Sequence, residues 1–209
     1  RDADVYMALP GPDGNRNAFA LSSRDTLVCI SPWNFRLAII TGHFVPGLKW
    51  VNWGLAKAVE QTPLIAARAV ELMYRAGVPT GALGLLPGDG HIGAALVAHS
   101  DVAGVVFTGS TDVARDINRS LAAKNGPIVP LIAETGGQNA MIVDSSALPE
   151  QVVDDVMRSA FGSAGQRCSA LRILCVQEDA ADKIIKMLKG AMAQLSVGDP
   201  FLLSSDIGP

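Results

Sequence analysis

Apolar residues follow two rhythms along this chain: short continuous runs of strand length, and longer segments with apolar positions three and four apart. Their alternation predicts an α/β sheet with crossover helices. Leu27 to Ile30 is a strand-like run stopped by Ser31-Pro32. Thr62 is placed to cap a helix opening on Pro63, where a missing N–H is not needed. Leu64, Ile65, Ala69, Leu72, Met73 and Ala76 would share its apolar face, with Gly77 and Pro79 ending it. Leu83 to Leu86 reads as a strand, followed by the turn Pro87-Gly88-Asp89-Gly90 and a short helix from His91 to Ala98. Val102 to Phe107 is the next strand, and its exit, Thr108-Gly109-Ser110-Thr111, opens a helix to about Ala123.

The later part keeps the rhythm. Ile128 to Ala133 and Ala140 to Val143 are expected strands around Glu134-Thr135-Gly136-Gly137. A helix is expected from Pro149 to Phe161, then a loop from Gly162 to Cys168 and a strand from Leu171 to Val176. Asp179 should cap a last helix in which Ile184, Ile185, Leu188 and Met192 share a face. No internal repeat is visible.

The 209 residues suit one large domain, or one and a half. With 49% hydrophobic and 18% charged residues, the chain can bury a core. A net charge of −3 argues against a nucleic-acid partner, which needs clustered Lys and Arg. Uncharged runs such as Ala76 to Gly88 are too short and too broken for a membrane span, and no secretory signal opens the chain. Cys29, Cys168 and Cys175 are too few for a disulfide framework, and His43, His91 and His99 have no metal-ligand spacing, so no metal is expected. A reduced, cytoplasmic setting follows. The chain opens on Arg1 and stops at Ile207-Gly208-Pro209, and so reads as a piece of something longer.

Several short stretches could carry chemistry. Thr108-Gly109-Ser110-Thr111 joins a strand to a helix N-terminus, where backbone amides and the helix dipole can receive a phosphate. Alone it is equally an ordinary capped turn, and Pro87-Gly88-Asp89-Gly90 is more so. Cys168 lies in Gly165-Gln166-Arg167-Cys168-Ser169, where a neighbouring cation and loop amides favour the nucleophilic thiolate. Taken singly, a structural thiol is the commoner case. Cys29 and Cys175 sit inside apolar runs and read as small hydrophobes. Glu134, at a strand's end before two glycines, could be a general base or a turn residue. Asn34 could donate to an oxyanion or satisfy local backbone.

The set changes the odds. Trp33-Asn34, Lys57 with Glu60, Phe107 to Thr111, Glu134 to Gly137 and Gly165 to Cys168 occur in this order and resemble the aldehyde dehydrogenase superfamily. Gly136 to Leu148 and the run from Cys168 to Asp199-Pro200 resemble, within it, the L-glutamate γ-semialdehyde (pyrroline-5-carboxylate) dehydrogenase domain of bifunctional proline-utilisation proteins. The resemblance spans about Asp25 to Pro209. It implies a Rossmann-like NAD-binding sheet over residues 1–133 and the start of an α/β catalytic domain over 134–209. It implies Cys168 as nucleophile, Glu134 as the base that activates water, and Asn34 with the Cys168 N–H as oxyanion donors. NAD would be held by Ile30, Trp33, Lys57, Glu60, Gly88, Gly109, Ser110, Thr135 and Gly136. Arg167 and Ser169 would anchor the carboxylate of a small-molecule aldehyde, and the parent protein would be a homo-oligomer.

The match has departures. From His43 to Gly54 the chain reads HFVPGLKWVNWG, where the family shows an Ala-rich helix and an Ala-Gly-Asn turn. Pro46 and Gly47 are expected to break that helix, and Trp50 and Trp53 to crowd a close packing contact. A pair of compensating frameshifts in the coding DNA would account for the segment. Arg36 and Ala58 stand where the family usually has proline. By the resemblance, the carboxylate that holds the nicotinamide ribose and part of the substrate anchor lie beyond Pro209. The 209 residues alone are therefore expected to give no steady-state NADH with glutamate semialdehyde. The alternatives are a non-catalytic NAD-binding or interaction module, or a sister enzyme for succinate semialdehyde.

Overall fold

The computed structural model describes residues 6–208 apart from 16, 21, 50 and 51. They form two compact units, residues 1–134 and 135–209.

In the first unit, β1 (Tyr6–Leu9) and β2 (Asn17–Ala20) make an antiparallel hairpin. The chain then alternates: β3 (Thr26–Ile30), α1 (Arg36–Lys49), β4 (Trp53–Lys57), α2 (Pro63–Arg75), β5 (Leu83–Leu85), α3 (Gly90–Ala98), β6 (Val102–Gly109), α4 (Thr111–Ala122) and β7 (Leu131–Thr135). Five strands form one sheet in the order β5-β4-β3-β6-β7. β3 runs parallel to both β4 and β6, and β4 parallel to β5.

Alternation along β3 builds the two layers. Val28 faces one side, where it packs with Val97 of α3, Val105 and Phe107 of β6, and Ala114, Ile117 and Leu121 of α4. Cys29 faces the other, with Ile40 and Phe44 of α1, Ala56, and Ala66 and Val70 of α2. Burial pushes the Cys29 thiol up to about 12, so it stays neutral and unreactive. The chain steps outward from β3 to β5, then returns to place β6 on the other side of β3. Such a reversal is where open α/β sheets bind ligands, outside the carboxyl ends of the strands.

Several local expectations are corrected by the structure. Pro46 and Gly47 do not break the helix: α1 runs through both to Lys49. An interior proline costs about 3 kcal/mol. Against that, Ile40 and Phe44 are wholly buried, and each such side chain contributes about 1.5–3 kcal/mol. Gly47 permits a close approach, since a Cβ there would lie 3.0 Å from Leu27 Cδ1. Buried Asn52 secures the helix end by donating from Nδ2 to the Gly47 carbonyl at 3.2 Å, and its Oδ1 accepts the Arg24 N–H at 2.7 Å. Trp53 crowds nothing, being 63% exposed, and Trp50 lies outside the described residues.

Thr62 precedes α2 but makes no capping bond, and its hydroxyl is buried without a partner. The buried side of α2 is Ala66, Ala69 and Val70, with Met73 packed against the same core, a run of i, i+3, i+4 and i+7. Leu64, Ile65 and Leu72 are exposed. Small side chains let the helix sit close to the sheet, so the buried stripe is the one that fits rather than the bulkiest one.

In the second unit, β8 (Asn139–Val143) pairs in parallel with β9 (Leu171–Val176). Between them run α5 (Pro149–Val156), a π-helical turn over Met157–Phe161 and a 3-10 turn over Gly162–Gly165. α6 (Glu178–Met192) follows β9. Val143, Val152, Val156, Leu171 and Ile184 are the core. Asp179 is not the cap of α6. It lies in the first turn beside Glu178, where a carboxylate suits the helix dipole, and Gln177 holds the cap position. Of the expected face, Ile184 is buried and Leu188 packs on the core, but Ile185 and Met192 are exposed. Cys175 is exposed too, on the outward side of β9, and so does not act as a core residue.

Candidate active site

In the first unit, parallel strands in register bring their carboxyl ends to one edge of the sheet. Ile30, the last residue of β3, is paired with Lys57, the last of β4, and with Phe107, two before the end of β6. Lys57 is buried, and its Nζ lies 3.5 Å from Glu60 Oε2. The Glu60 carboxyl is held below its usual range, first by a bond from its own backbone N–H, then by the Lys57 charge and the Gln61 side chain. Gly93 of α3 lies beside Lys57, for a Cβ there would stand in ordinary contact with Lys57 Cε at 4.0 Å.

Gly88 follows β5 at φ +156°, and a Cβ on it would meet Ile92 Cγ1 at 2.6 Å. A side chain is excluded there on both counts. Gly109 ends β6, and Ser110 caps α4 by accepting the Val113 N–H on Oγ at 3.2 Å. Thr108 Oγ1 and His43 Nε2 are 2.9 Å apart, and burial holds the His43 imidazole below its ordinary pKa. Beyond β3, Trp33 is exposed, Asn34 is half-buried, and Phe35 turns the chain into α1 at φ +37°. Glu134 is exposed near the end of β7, Thr135 is half-buried and Gly136 is exposed.

The second unit presents Cys168 on an exposed loop. Ser163, Ala164 and Gly165 all take left-handed backbone, with φ of +55°, +54° and +67°. Each non-glycine residue held so costs about 1–2 kcal/mol, and such strain collects at functional sites. Pins to backbone carbonyls hold the loop. Arg167 Nη2 donates to Arg158 O at 2.9 Å and Ser159 O at 3.3 Å, while its Nε is buried without a partner. Arg172 Nη2 donates to Gly165 O at 2.6 Å. Asn139 Nδ2 donates to Cys168 O at 2.7 Å and Ala170 O at 2.9 Å. Ser169 is exposed.

Gly165 is required where it stands, since a Cβ would fall 2.7 Å from the Ala160 carbonyl. Gly165→Ala is expected to lower unfolding stability by about 1–3 kcal/mol, measured by urea titration.

Asn34, Lys57, Glu60, Gly88, Gly109, Ser110 and Glu134 thus belong to the first unit, and Arg167, Cys168 and Ser169 to the second. The pins from Asn139 and Arg172, the His43–Thr108 contact and the Asn52 bonds carry no sequence signal. None is a bond that periodicity encodes, and those of Asn139, of His43 with Thr108 and of Asn52 with Arg24 join residues 28 or more apart in the chain. Among the described residues, no cluster of His, Cys, Asp or Glu could hold a metal ion, and no helix is long and apolar enough to cross a membrane.

Residues 9–209 match the aldehyde dehydrogenase family. The chain is 59% identical over 213 residues to the bifunctional protein PutA of Rhizobium meliloti, covering 100% of this chain and 17% of that protein. It is 38% identical over 200 residues to a 1-pyrroline-5-carboxylate dehydrogenase of Geobacillus kaustophilus, covering 94% of this chain and 39% of that one. A crystal structure of proline utilization A from Bradyrhizobium japonicum superposes with a TM-score of 0.94 at 60% identity, over 98% of this chain and 21% of that chain. The chain therefore spans well under half the length of these relatives. With the doubly wound sheet and matching residues over nearly its whole length, this chain belongs to the aldehyde dehydrogenase family.

Proposed function

We propose that this chain carries the nucleophile and part of the dinucleotide site of an NAD-dependent enzyme that oxidises L-glutamate γ-semialdehyde to L-glutamate in proline catabolism. The likeness to PutA and to a 1-pyrroline-5-carboxylate dehydrogenase supports the substrate. The observation that carries the mechanism is the strained, pinned loop that presents Cys168 to solvent. In this reading residues 1–133 are part of the NAD-binding domain and 134–209 open the catalytic domain, in a cytoplasmic enzyme.

The first unit suits a dinucleotide. Gly88 and Gly109 keep side chains away from the strand ends, and the α4 N-terminus offers amides to a phosphate. Lys57 and Glu60 would hold the adenosine ribose hydroxyls, and Ile30, Trp33, Ser110, Thr135 and Gly136 would line the remainder. When bound, NAD supplies the hydride acceptor.

The other steps belong to this chain. Cys168 Sγ attacks the aldehyde carbon, forming a thiohemiacetal whose oxyanion accepts hydrogen bonds from the Asn34 side-chain amide and the Cys168 N–H. Loss of hydride from that carbon leaves a thioester. Glu134 takes a proton from water, which attacks the thioester, releasing carboxylate product and the Cys168 thiolate. NADH formation in the intact enzyme, meaning the whole polypeptide that carries these residues, tests this reading. Glutamate semialdehyde should be oxidised faster than succinate semialdehyde, and the reverse order would overturn the substrate assignment.

The substrate carboxylate is best given to Ser169. A bidentate contact through the Nε–Nη2 edge of Arg167 needs a free fork, and Nη2 already serves two carbonyls. Arg167→Ala is therefore expected to depress kcat/KM equally for glutamate semialdehyde and for an uncharged aldehyde. A loss confined to the charged substrate, of about 1.5–3 kcal/mol or roughly 10- to 150-fold, would return the carboxylate to Arg167.

A further inference from the structure

We propose that Asn139 is a positioning residue for the nucleophile: its side-chain amide, by holding the carbonyls of Cys168 and Ala170, sets the orientation in which Cys168 Sγ is presented. The inference rests on the reading of Cys168 as nucleophile.

The two bonds leave no doubt about which end of the amide faces the loop. Both partners are carbonyl oxygens, which only accept, so Nδ2 must point at them, and both of its hydrogens are committed, at 2.7 Å and 2.9 Å. They span 29 and 31 residues of sequence, from the first residue of β8 to the loop that enters β9.

Their place explains their role. The β8–β9 ladder starts at Asn139 and Leu171, and its register shifts between Asn139 and Ala140. Backbone pairing therefore stops just short of the nucleophile, and the Asn139 side chain continues the connection past the end of the ladder. The other pins act upstream: Arg167 reaches back to Arg158 and Ser159, and Arg172 takes the Gly165 carbonyl. Asn139 reaches the carbonyl of Cys168 itself. Fixing that carbonyl fixes the peptide plane that follows Cys168, and so limits rotation about its Cα–C bond. The two bonds bracket Ser169, so the residue given to the substrate carboxylate is held between the same fixed points.

Asn139 touches neither aldehyde nor cofactor in this reading, so its loss should appear in kcat. A displacement of about 1 Å in a reacting group costs on the order of 100-fold. The bond to the Cys168 carbonyl is exposed, so water can replace that donor; the bond to the Ala170 carbonyl is part-buried, and the β8–β9 ladder and the core beneath it hold the fold when it is lost.

The decisive variant is Asn139→Asp, which keeps the shape and replaces the donor with an acceptor aimed at two carbonyls. In the intact enzyme, Asn139→Asp and Asn139→Ala should each lower kcat about 10- to 100-fold, with NAD affinity and the thermal midpoint little changed. Exposed Cys175, on β9 of the same unit, is the internal control. Iodoacetamide labelling, resolved by peptide mass, should change at Cys168 and not at Cys175. Unchanged kcat in Asn139→Asp would overturn the proposal. So would a loss of kcat accompanied by a lower thermal midpoint and parallel changes at both cysteines, which would mark a purely structural role. Cys168→Ala, assayed beside them, separates the two readings. If it still turns over, the nucleophile assignment fails. If it is inactive while Asn139→Asp is normal, only the positioning role fails.

Discussion

Cys168→Ala is expected to abolish aldehyde oxidation in the intact enzyme, lowering kcat by roughly 10⁴-fold or more, while NAD affinity is retained. The expectation follows from what the thiol does. It is the atom that bonds to the aldehyde carbon and later leaves it, and a methyl group can do neither. It also lies in the second unit, whereas Lys57, Glu60, Gly88, Gly109 and Ser110 lie at the strand ends of the first. Removing Sγ therefore takes nothing from the groups proposed to hold the dinucleotide. Steady-state NADH production and NAD titration by fluorescence measure the two halves of the prediction. Residual turnover within tenfold of the parent would remove Cys168 from the nucleophilic role.

Glu134→Gln should lower steady-state turnover by about 10²- to 10⁴-fold, the range that a positioned general base supplies. The loss should be uneven across the cycle. Thiol attack and hydride loss do not use this carboxylate, so a rapid-mixing experiment should show a burst of NADH approaching one equivalent of sites, followed by a slow phase. Glutamine keeps the side chain's size but cannot take a proton from water. Glu134 stands exposed near the end of β7, where a water molecule can reach it. If burst and steady-state phases slowed equally, Glu134 would not be the deacylating base.

Much of the site was legible because local chemistry marks it. Glycines at strand ends, Ser110 before a helix and a cysteine between Arg167 and Ser169 are patterns within a few residues of each other, and the structure puts them in the loops and termini expected. What each side chain holds was not legible. Arg167 reads as a cation free for a ligand, yet its guanidinium is turned back onto the carbonyls of Arg158 and Ser159. Asn139 reads as a strand residue, yet it binds the peptide that carries the nucleophile.

The order and type of the elements from α2 through α6, and of β3 before them, were determined by the sequence alone, because strand and helix periods are properties of a few consecutive residues, whereas α1 and β4 were not legible in it. The tertiary structure decided the strand order, which stripe of α2 is buried, and the survival of α1 across Pro46. It also decided that Cys29 is inert while Cys175, in a similar apolar run, is open to solvent. The physical reason is the same in each case. Burial, and the bonds that replace water, depend on which segments become neighbours, and an interior proline or a buried thiol is tolerated only where those neighbours make up its cost.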